Sequence, residues 1–498
     1  MKKRNIFQNQ CQEILTIFEM AENRSKVMCV PIDYAKKDHL AMFCDGNGRI
    51  IRKPFSVKNS QEGKNYLIDQ VTKSCRHHGI GRQHTFFGGE DCGPYADNFI
   101  AALRSENWIV AGVNAFDAKR HRENLQASTD QLDLLGICKV LLSCRGNCFP
   151  AQSGIYWNLR MLVRQRRKFV AMTTGVKNRI HSIVDRIFPG FLNEKKSGIL
   201  PFSKCSLLLM EDRFSVHQIR RRRRSTLTKL LSRHAVHLPD LCAKKLQDYA
   251  GQILRPPIES ISTLQLSLKQ QTKLYGCLKD NIYQLEKEIA ENLAQIQGSF
   301  LTSIRGIGIV LAAGVSAEIG DPHKQKSINN LVSYAGIIPK VKQTGGIQGK
   351  THTRKVGKRY NRILKDHVVQ SASHIGLHGP EDLMFDYKRR ASQGQHADFG
   401  MSRRYLRIAM CLMRTYQTYL PKRLQTKKTQ KQERARYYLM TWPKLNEKWR
   451  KAGALDIAFD KNMPLGQWRI KDSVLTKFWH PHIWYRWFFQ PCDFYSII

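Results

Sequence analysis

Between residues 27 and 57, apolar and polar positions alternate with a period of two in VMCVPID, HLAMFCD and RIIRKPFSV, which predicts three strands. Lys36 and Lys37, and then the turn Gly46-Asn47-Gly48, break the runs, so a meander is expected. The spacing becomes helical over residues 61–78. HTFFGGE then reads as a strand, residues 94–105 as a helix and WIVAGVNA as another strand. Strands alternating with helices predict an α/β layer on a mixed sheet.

From 151 to 297 the pattern is mainly helical, and the stretch 258–296 carries Leu264, Leu268, Leu274, Leu278, Ile282, Leu285 and Ile289 at helical spacing. A helical hairpin or coiled-coil arm is expected there. LTSIRGIGIVLAAGVSAEIG opens a second compact unit after 298, and beyond about 420 the chain turns very basic and then rich in Trp. The divisions expected are an N-terminal extension (1–26), an α/β domain (27–150), a helical linker and arm (151–297), a mostly helical domain (298–395) and a C-terminal extension (396–498). No internal repeat is found.

Composition changes the picture through the sign of the charge. The 498 residues include 82 Lys and Arg against 40 Asp and Glu, a formal charge of +42, although charged residues make up an ordinary 24%. Such a surface gains affinity for polyanions by releasing condensed counterions, which points to nucleic acid ahead of anionic membrane and away from a neutral metabolic enzyme. At 42% hydrophobic residues the chain can bury a substantial core. Its N-terminus is basic without a following apolar segment, and no run approaches the ~18 residues of a membrane span, so a cytoplasmic location is expected. Thirteen cysteines without a paired CxxC frame indicate reduced thiols. Cys138, Cys144 and Cys148 are close in sequence, and they read as buried small hydrophobes on a strand and loop, since no fourth ligand has metal-site spacing.

Against this basic background, the positions of a few acids carry chemistry. Asp33 ends the first apolar strand, where ligands collect in open α/β sheets. Glu90 ends the HTFFGGE strand. Asp130 and Asp133 in STDQLD share one helical face. Each has an ordinary structural role open to it: a turn for Asp33, a helix N-terminus for Glu90, an N-cap or first turn for Asp130. Converged, they would repel one another unless a hard cation such as Mg²⁺ or Mn²⁺ joined them, and two such ions could clamp the oxygens of a phosphodiester.

VPIDYAKKDHLAMFCDGNGRII, GGEDCGPYADNFIAAL and VNAFDAKRHRENLQASTDQLDLLGI, together with LTSIRGIGIVLAAGVSAEIGDP, NLVSYAGIIPKVKQTGGIQGK and TRKVGKRYNRILKDHVVQSA, resemble the transposases of the insertion-sequence 110 family. The resemblance covers roughly residues 27–136 and 298–375. It implies a RuvC-like, RNase H-type N-terminal domain whose DEDD acids fall on Asp33, Glu90, Asp130 and Asp133. The family's serine nucleophile falls on Thr344, in Gln343-Thr344-Gly345-Gly346, and Ser327 and Ser333 read as ordinary helix residues. A threonine hydroxyl can attack a phosphodiester, though its β-methyl restricts χ1 and crowds the approach. The implied activity is DNA strand cleavage and rejoining through a covalent protein–DNA link by a homo-oligomer, dimer or tetramer. An element-encoded guide RNA would pair with donor and target DNA. A structure-selective nuclease using the same acids, or a binding protein derived from a transposase, are the alternatives.

Arg305, Gly306 and Gly308 in IRGIG have the form of a helix-hairpin-helix turn, whose amides could approach a phosphate; a glycine C-cap is the plain reading. Lys350, Arg354, Lys355, Lys358, Arg359 and Arg362 follow Thr344, and of these Lys355 and Arg362 match basic positions of the family. The cations of 220–224 could clamp a backbone or line a solvated loop. Trp442, Trp449, Trp468, Trp479, Trp484 and Trp487 could stack on unpaired bases or pack a tail against the body, the second being the simpler reading. His480 and His482, flanking Pro481, read as a surface turn.

Overall fold

The structure is a computed structural model. It describes residues 10–90, 93–122, 129–147, 154–211, 214–233, 236–325, 327–338, 340–343, 351–354, 360–421, 447–449 and 451. The chain divides into two compact units, Met1–Ser153 and Gly154–Ile498.

In the first unit, strands β1 (Met28–Asp33), β2 (Asp38–Asp45), β3 (Ile50–Lys58), β4 (Thr85–Glu90) and β5 (Ile109–Val113) form a sheet in the order β3-β2-β1-β4-β5. The first three make the antiparallel meander expected from the sequence, and β4 and β5 run parallel to β1. This is the RuvC-like, RNase H-type mixed sheet. Helices α1 (Gln12–Met20), α2 (Gln61–His78), α3 (Pro94–Ser105), α4 (Ala115–Arg120) and α5 (Asp130–Leu142) accompany it.

The period of two has a direct structural result. Met28, Val30, Ile32, Phe43 and Phe87 point to one face and pack with Leu67 and Val71 of α2 and Phe99 and Leu103 of α3. Their neighbours Val27, Cys29, Cys44 and Phe86 point to the other and pack with Ile14 and Ile17 of α1 and Leu134, Ile137 and Leu141 of α5. Residues from the expected N-terminal extension therefore belong to the sheet's core. The strand read as WIVAGVNA stops at Val113 because the Asn114 side chain accepts from the Phe116 amide at 3.0 Å and starts α4.

Among the described residues the second unit is helical apart from one short hairpin. Helices α6 (Ile155–Ile187), α7 (Glu194–Ser197), α8 (Lys204–Glu211), α9 (Val216–Arg221), α10 (Arg224–Arg233), α11 (Pro239–Gln252) and α12 (Ile258–Ala294) come first. Then follow α13 (Ile309–Ile319), α14 (Ile328–Tyr334), the antiparallel strands β6 (Lys340–Gln343) and β7 (Thr351–Arg354), α15 (Arg362–His378), α16 (Glu381–Ser392) and α17 (Ala397–Thr415). The long helices α6 and α12 are about 50 and 55 Å at 1.5 Å per residue. They run antiparallel between two cores. At one end Val176, Ile180 and Val184 of α6 and Leu268, Tyr275 and Leu278 of α12 pack with α8–α11. At the other, Leu159 and Val163 and Ile289 and Leu293 join α13, α15 and α17.

Two details differ from the sequence pattern. Leu274 is exposed and Tyr275 is buried, because Leu268, Tyr275, Ile282 and Ile289 repeat every seventh residue and hold the seam. The second core also continues past 395, since Met401, Tyr405, Leu406 and Ala409 of α17 are buried in it.

One buried charge ties this core together. The Glu318 carboxylate, on α13, accepts from Arg164 Nε at 2.9 Å and Nη2 at 3.0 Å and from Asn361 Nδ2 at 2.7 Å, while Arg160 donates to the carbonyls of Ala317 and Glu318. Burial alone would push this carboxyl up, but the Arg164 hydrogen bonds, the Arg160 charge and Asn361 outweigh it and hold it below its ordinary range. Removing one partner of such a pair costs about 3–5 kcal/mol. Glu318→Ala should therefore destabilise the second unit by that order in a urea titration. Arg224→Ala, which breaks the exposed pair with Asp240, should leave the urea midpoint almost unchanged.

Candidate active site and nucleic-acid surface

Asp33 and Glu90 are the last residues of β1 and β4, neighbouring parallel strands whose register pairs Ile32 with Gly89. The two carboxylates therefore leave the same edge of the sheet side by side. Their approach depends on glycine: a Cβ on Gly89 would stand 2.2 Å from the Ile32 carbonyl oxygen and 2.5 Å from the Tyr34 ring, and one on Gly88 would stand 2.5 Å from Leu141 of α5. Asp130 is the first residue of α5, whose N-cap Thr129 accepts from the Leu132 amide at 3.3 Å.

Electrostatics place three of the four acids in one neighbourhood. The Asp33 carboxyl is raised, first by burial and then by the charge of Asp130, with Arg122 acting against both. Glu90 is raised by burial and then by Asp33, again opposed by Arg122. Asp33 is thus the centre of the group. Asp133 pairs with Arg122 in an ion pair. Three acids and a guanidinium converge, and the fourth acid is held by that guanidinium.

A hard divalent cation fits this donor set: the partly buried Asp33 and Glu90 are raised in part by the charges of Asp130 and Asp33, and that repulsion is lost when such an ion is shared. Asp33, Glu90 and Asp130 are the residues that could hold it, and Asp133 could join by exchanging Arg122. Among the described residues the one group of three with ligand atoms all within 4.8 Å of one another is Cys29, Cys44 and Cys138, so the three carboxylates share a neighbourhood without that close an approach. Cys138 lies on a helix rather than a strand; Cys144 is buried, and Cys148 lies outside the described residues.

Arg122 was not legible as a functional residue. It is one of 82 basic side chains, and only the packing of α4 and α5 brings it to the acids. His39 is a second omission: its Nδ1 accepts from the Ala35 amide at 3.1 Å and fixes the turn that follows Asp33.

In the second unit, the IRGIG turn lies between a 3-10 helix at Gln297–Ser303 and α13. Ile304 and Ile307 are fully buried and Arg305 is exposed. Gly306 has φ +92°, and a Cβ there would stand 2.9 Å from the His374 carbonyl oxygen. The tail closes over this turn. Lys448 Nζ donates to the Ile307 carbonyl at 2.6 Å and to Thr302 at 3.2 Å, and burial pushes its ammonium down to about 8. Trp449 is buried and donates through Nε1 to Thr302 Oγ1 at 3.2 Å, so this tryptophan packs the tail to the body.

Gln343 and Thr351 form the last pair of the β6–β7 hairpin, and Thr344 is the next residue in the chain. Thr344, Lys350, Lys355, Lys358 and Arg359 lie outside the described residues, as do Trp442, Trp468, Trp479, His480, His482, Trp484 and Trp487. Arg362 is exposed at the start of α15, behind the N-cap Asn361 that Glu318 holds. Ser327 caps α14 by accepting from the Asn329 amide at 3.2 Å, and Ser333 lies within that helix. In the 220–224 run, Arg220, Arg221 and Arg223 are exposed, while Arg224 pairs with Asp240. No helix among the described residues is long and apolar enough to cross a membrane.

Residues 30–189 match the DEDD transposase domain of the IS110 type, and residues 298–378 match the transposase IS116/IS110/IS902 family. The chain is 25% identical over 276 residues to an insertion element IS116 uncharacterized 44.8 kDa protein of Streptomyces clavuligerus, covering 53% of this chain and 65% of that protein. It is 32% identical over 102 residues to a probable family 20 transposase of Pseudomonas aeruginosa, covering 19% of this chain and 30% of the relative. It is 29% identical over 99 residues to the transposase for insertion sequence element IS1328 of Yersinia enterocolitica, covering 20% and 29%. The chain thus spans just under two thirds of the first relative and under a third of the other two. A DEDD domain of this type implies a divalent-metal requirement. With these two transposase matches along the chain, and the acids of the first gathered at one sheet edge, the chain is similar to the transposases of the IS110 family.

Proposed function

We propose that this chain is an insertion-sequence transposase that cuts DNA and rejoins it through a covalent link to Thr344, with Asp33, Glu90, Asp130 and Asp133 holding Mg²⁺. The observation that carries the proposal is the convergence of Asp33, Glu90 and Asp130 at the carboxyl ends of β1 and β4 and the start of α5. In a strongly basic protein, repulsion among acids is maintained at that one edge.

A bound divalent cation would supply Lewis-acid stabilisation of charge on the phosphate oxygens. The chain's own residues supply the rest. Asp33 and Glu90, fixed by the strand register, set the position of the phosphodiester. Arg122 holds Asp133 and contributes positive charge beside the acids until the substrate phosphate competes for it. The Thr344 hydroxyl forms a new ester with phosphorus as the bond to the departing strand breaks; its proton passes to solvent or a carboxylate, and the departing oxygen takes one up. Ester energy is retained, so attack by an incoming strand's hydroxyl reverses the step on a new partner.

The exposed Arg305 at the glycine turn and Arg362 at the start of α15 are the described basic positions we assign to phosphate contact, with Gly306 and Gly308 giving the backbone access. Lys355 and Arg359 extend the same surface in the sequence. An element-encoded RNA would delegate sequence choice to base pairing, with the protein reading shape and backbone. The working form would be a homodimer or tetramer.

The deciding experiment combines the full chain, the element's RNA, Mg²⁺ and end-labelled donor and target DNA. A protein-linked strand should form, vanish in Thr344→Ala and in Asp33→Asn, and persist in Thr344→Ser. Free cleaved ends that survive Thr344→Ala would show a hydrolytic nuclease instead, and intact DNA with retained RNA would show a binding protein. Arg305→Ala should weaken DNA binding and reduce the salt slope by about 1.

The acid cluster also makes a stability prediction. Because the folded-state values of Asp33 and Glu90 are raised, protonation favours the folded form. Their unfavourable contribution is full above the folded values and is relieved as pH falls through them. Asp33→Asn should raise the metal-free melting temperature at neutral pH and flatten its gain on acidification. Mg²⁺ should raise the melting temperature of the native chain by several degrees and that of Asp33→Asn much less.

A further inference from the structure

We propose that Cys29, Cys44 and Cys138 form a closed three-sulfur site for a soft monovalent d10 metal ion, Cu⁺ in chemical class. The three sulfurs lie within 4.8 Å of one another, with Cys44 Sγ and Cys138 Sγ 3.0 Å apart. Cys29 and Cys44 are fully buried and Cys138 is 5% exposed. They come from β1, β2 and α5, and Cys29 and Cys44 are direct cross-strand partners. The metal would thus join two strands to a helix.

Ligand type decides what such a site accepts. Thiolate sulfur selects soft ions and rejects Mg²⁺, Ca²⁺ and Mn²⁺. With metal–sulfur bonds of about 2.3 Å, three sulfurs in a trigonal plane stand about 4 Å apart, inside the observed span. Loading would open the Cys44–Cys138 contact by roughly 1 Å, the difference between that spacing and the 3.0 Å seen. A structural Zn²⁺ site needs a fourth ligand. Among the described residues no fourth Cys, His, Asp or Glu joins this group. Asp45, the neighbour of Cys44, is committed to the next turn, where Oδ1 accepts from the Asn47 and Arg49 amides at 2.9 and 2.8 Å. The surroundings are otherwise apolar, with Ile14, Val140 and Phe86 in the same core. A soft monovalent d10 ion is satisfied by three sulfurs and needs no fourth ligand.

Without metal, burial holds the Cys29 thiol protonated and the hydrogen bond with Cys138 does the same for Cys44, while the hydrogen bonds of Cys29 and Cys44 hold Cys138 well below the ordinary thiol range. On loading, each thiol that becomes a ligand releases its proton to solvent, and no electron transfer is needed for an ion that arrives as Cu⁺. Cys29 shares β1 with Asp33, and Cys138 shares α5 with Asp130 and Asp133. An ion there would brace the two elements that present the acids, whatever reaction those acids perform.

The test uses the full chain purified under reductant and stripped with a chelator. Titration with Cu⁺ against bicinchoninate should show retention of about one ion per chain, with sulfur-only coordination by X-ray absorption. Zn²⁺ should not be retained. Cys44→Ala and Cys138→Ala should lose retention, whereas Cys277→Ala, at an exposed position in the other unit, should keep it. Should the core variants fail to fold, the native chain alone still decides. Cu⁺ should slow alkylation of Cys29, Cys44 and Cys138 in moderate urea, read by peptide mass spectrometry, and leave Cys277 unchanged. The proposal is overturned by absent Cu⁺ retention, by retention unaltered in a folded Cys138→Ala, by equal alkylation with and without Cu⁺, or by a Cys44–Cys138 disulfide in protein purified in air.

Discussion

Repulsion between carboxylates at one edge of a sheet is the constraint around which the N-terminal unit is built. Asp33 and Glu90 cannot separate, because each is the last residue of a strand whose neighbours are locked in a parallel ladder. Gly88 and Gly89 remove the side chains that would hold the ladder, Tyr34 and α5 apart. Asp130 is added by a helix whose apolar face is buried in the sheet's core. The cost of holding these charges together is met by packing elsewhere in the unit, and a site under such strain gains most from a cation. Arg122 supplies part of that compensation from within the chain, at the expense of engaging Asp133.

The second unit solves a different problem, which is how to keep backbone turns and loop roots in place within a helical body. Glu318 is buried among Arg160, Arg164 and Asn361, so the chain entering α15 is anchored to α13 and α6 at once. The IRGIG turn is held from within by Ile304 and Ile307 and from outside by Lys448 and Trp449. That leaves Arg305 exposed on a turn whose backbone is fixed.

Much of this was readable in the sequence because the signals were local. The period of two in VMCVPID and HLAMFCD, and the helical spacing of 61–78, gave elements that the structure matches closely. Position at strand ends singled out Asp33 and Glu90. What was missed depends on distant partners. Ile14 and Ile17 sit in a short helix, QEILTIFEM, and their burial follows from the sheet face that α1 covers. The exchange of Leu274 for Tyr275 at the seam of α12 reflects a seven-residue repeat set by α6, which a single-helix pattern does not distinguish. Cys138 groups with Cys29 and Cys44 rather than with Cys144, because stacking of α5 on the sheet outweighs closeness along the chain.

Charge, strand periodicity and the placement of acids at element ends were fixed by the sequence alone, because each rests on neighbouring residues and the geometry of a single strand or helix. Tertiary structure alone decided that Arg122 would stand among the acids, that three cysteines from three elements would meet, and that Lys448 would clasp a turn more than a hundred residues upstream. Those contacts join segments whose separation along the chain carries no information about distance, and only the burial of apolar faces against one another brings them together.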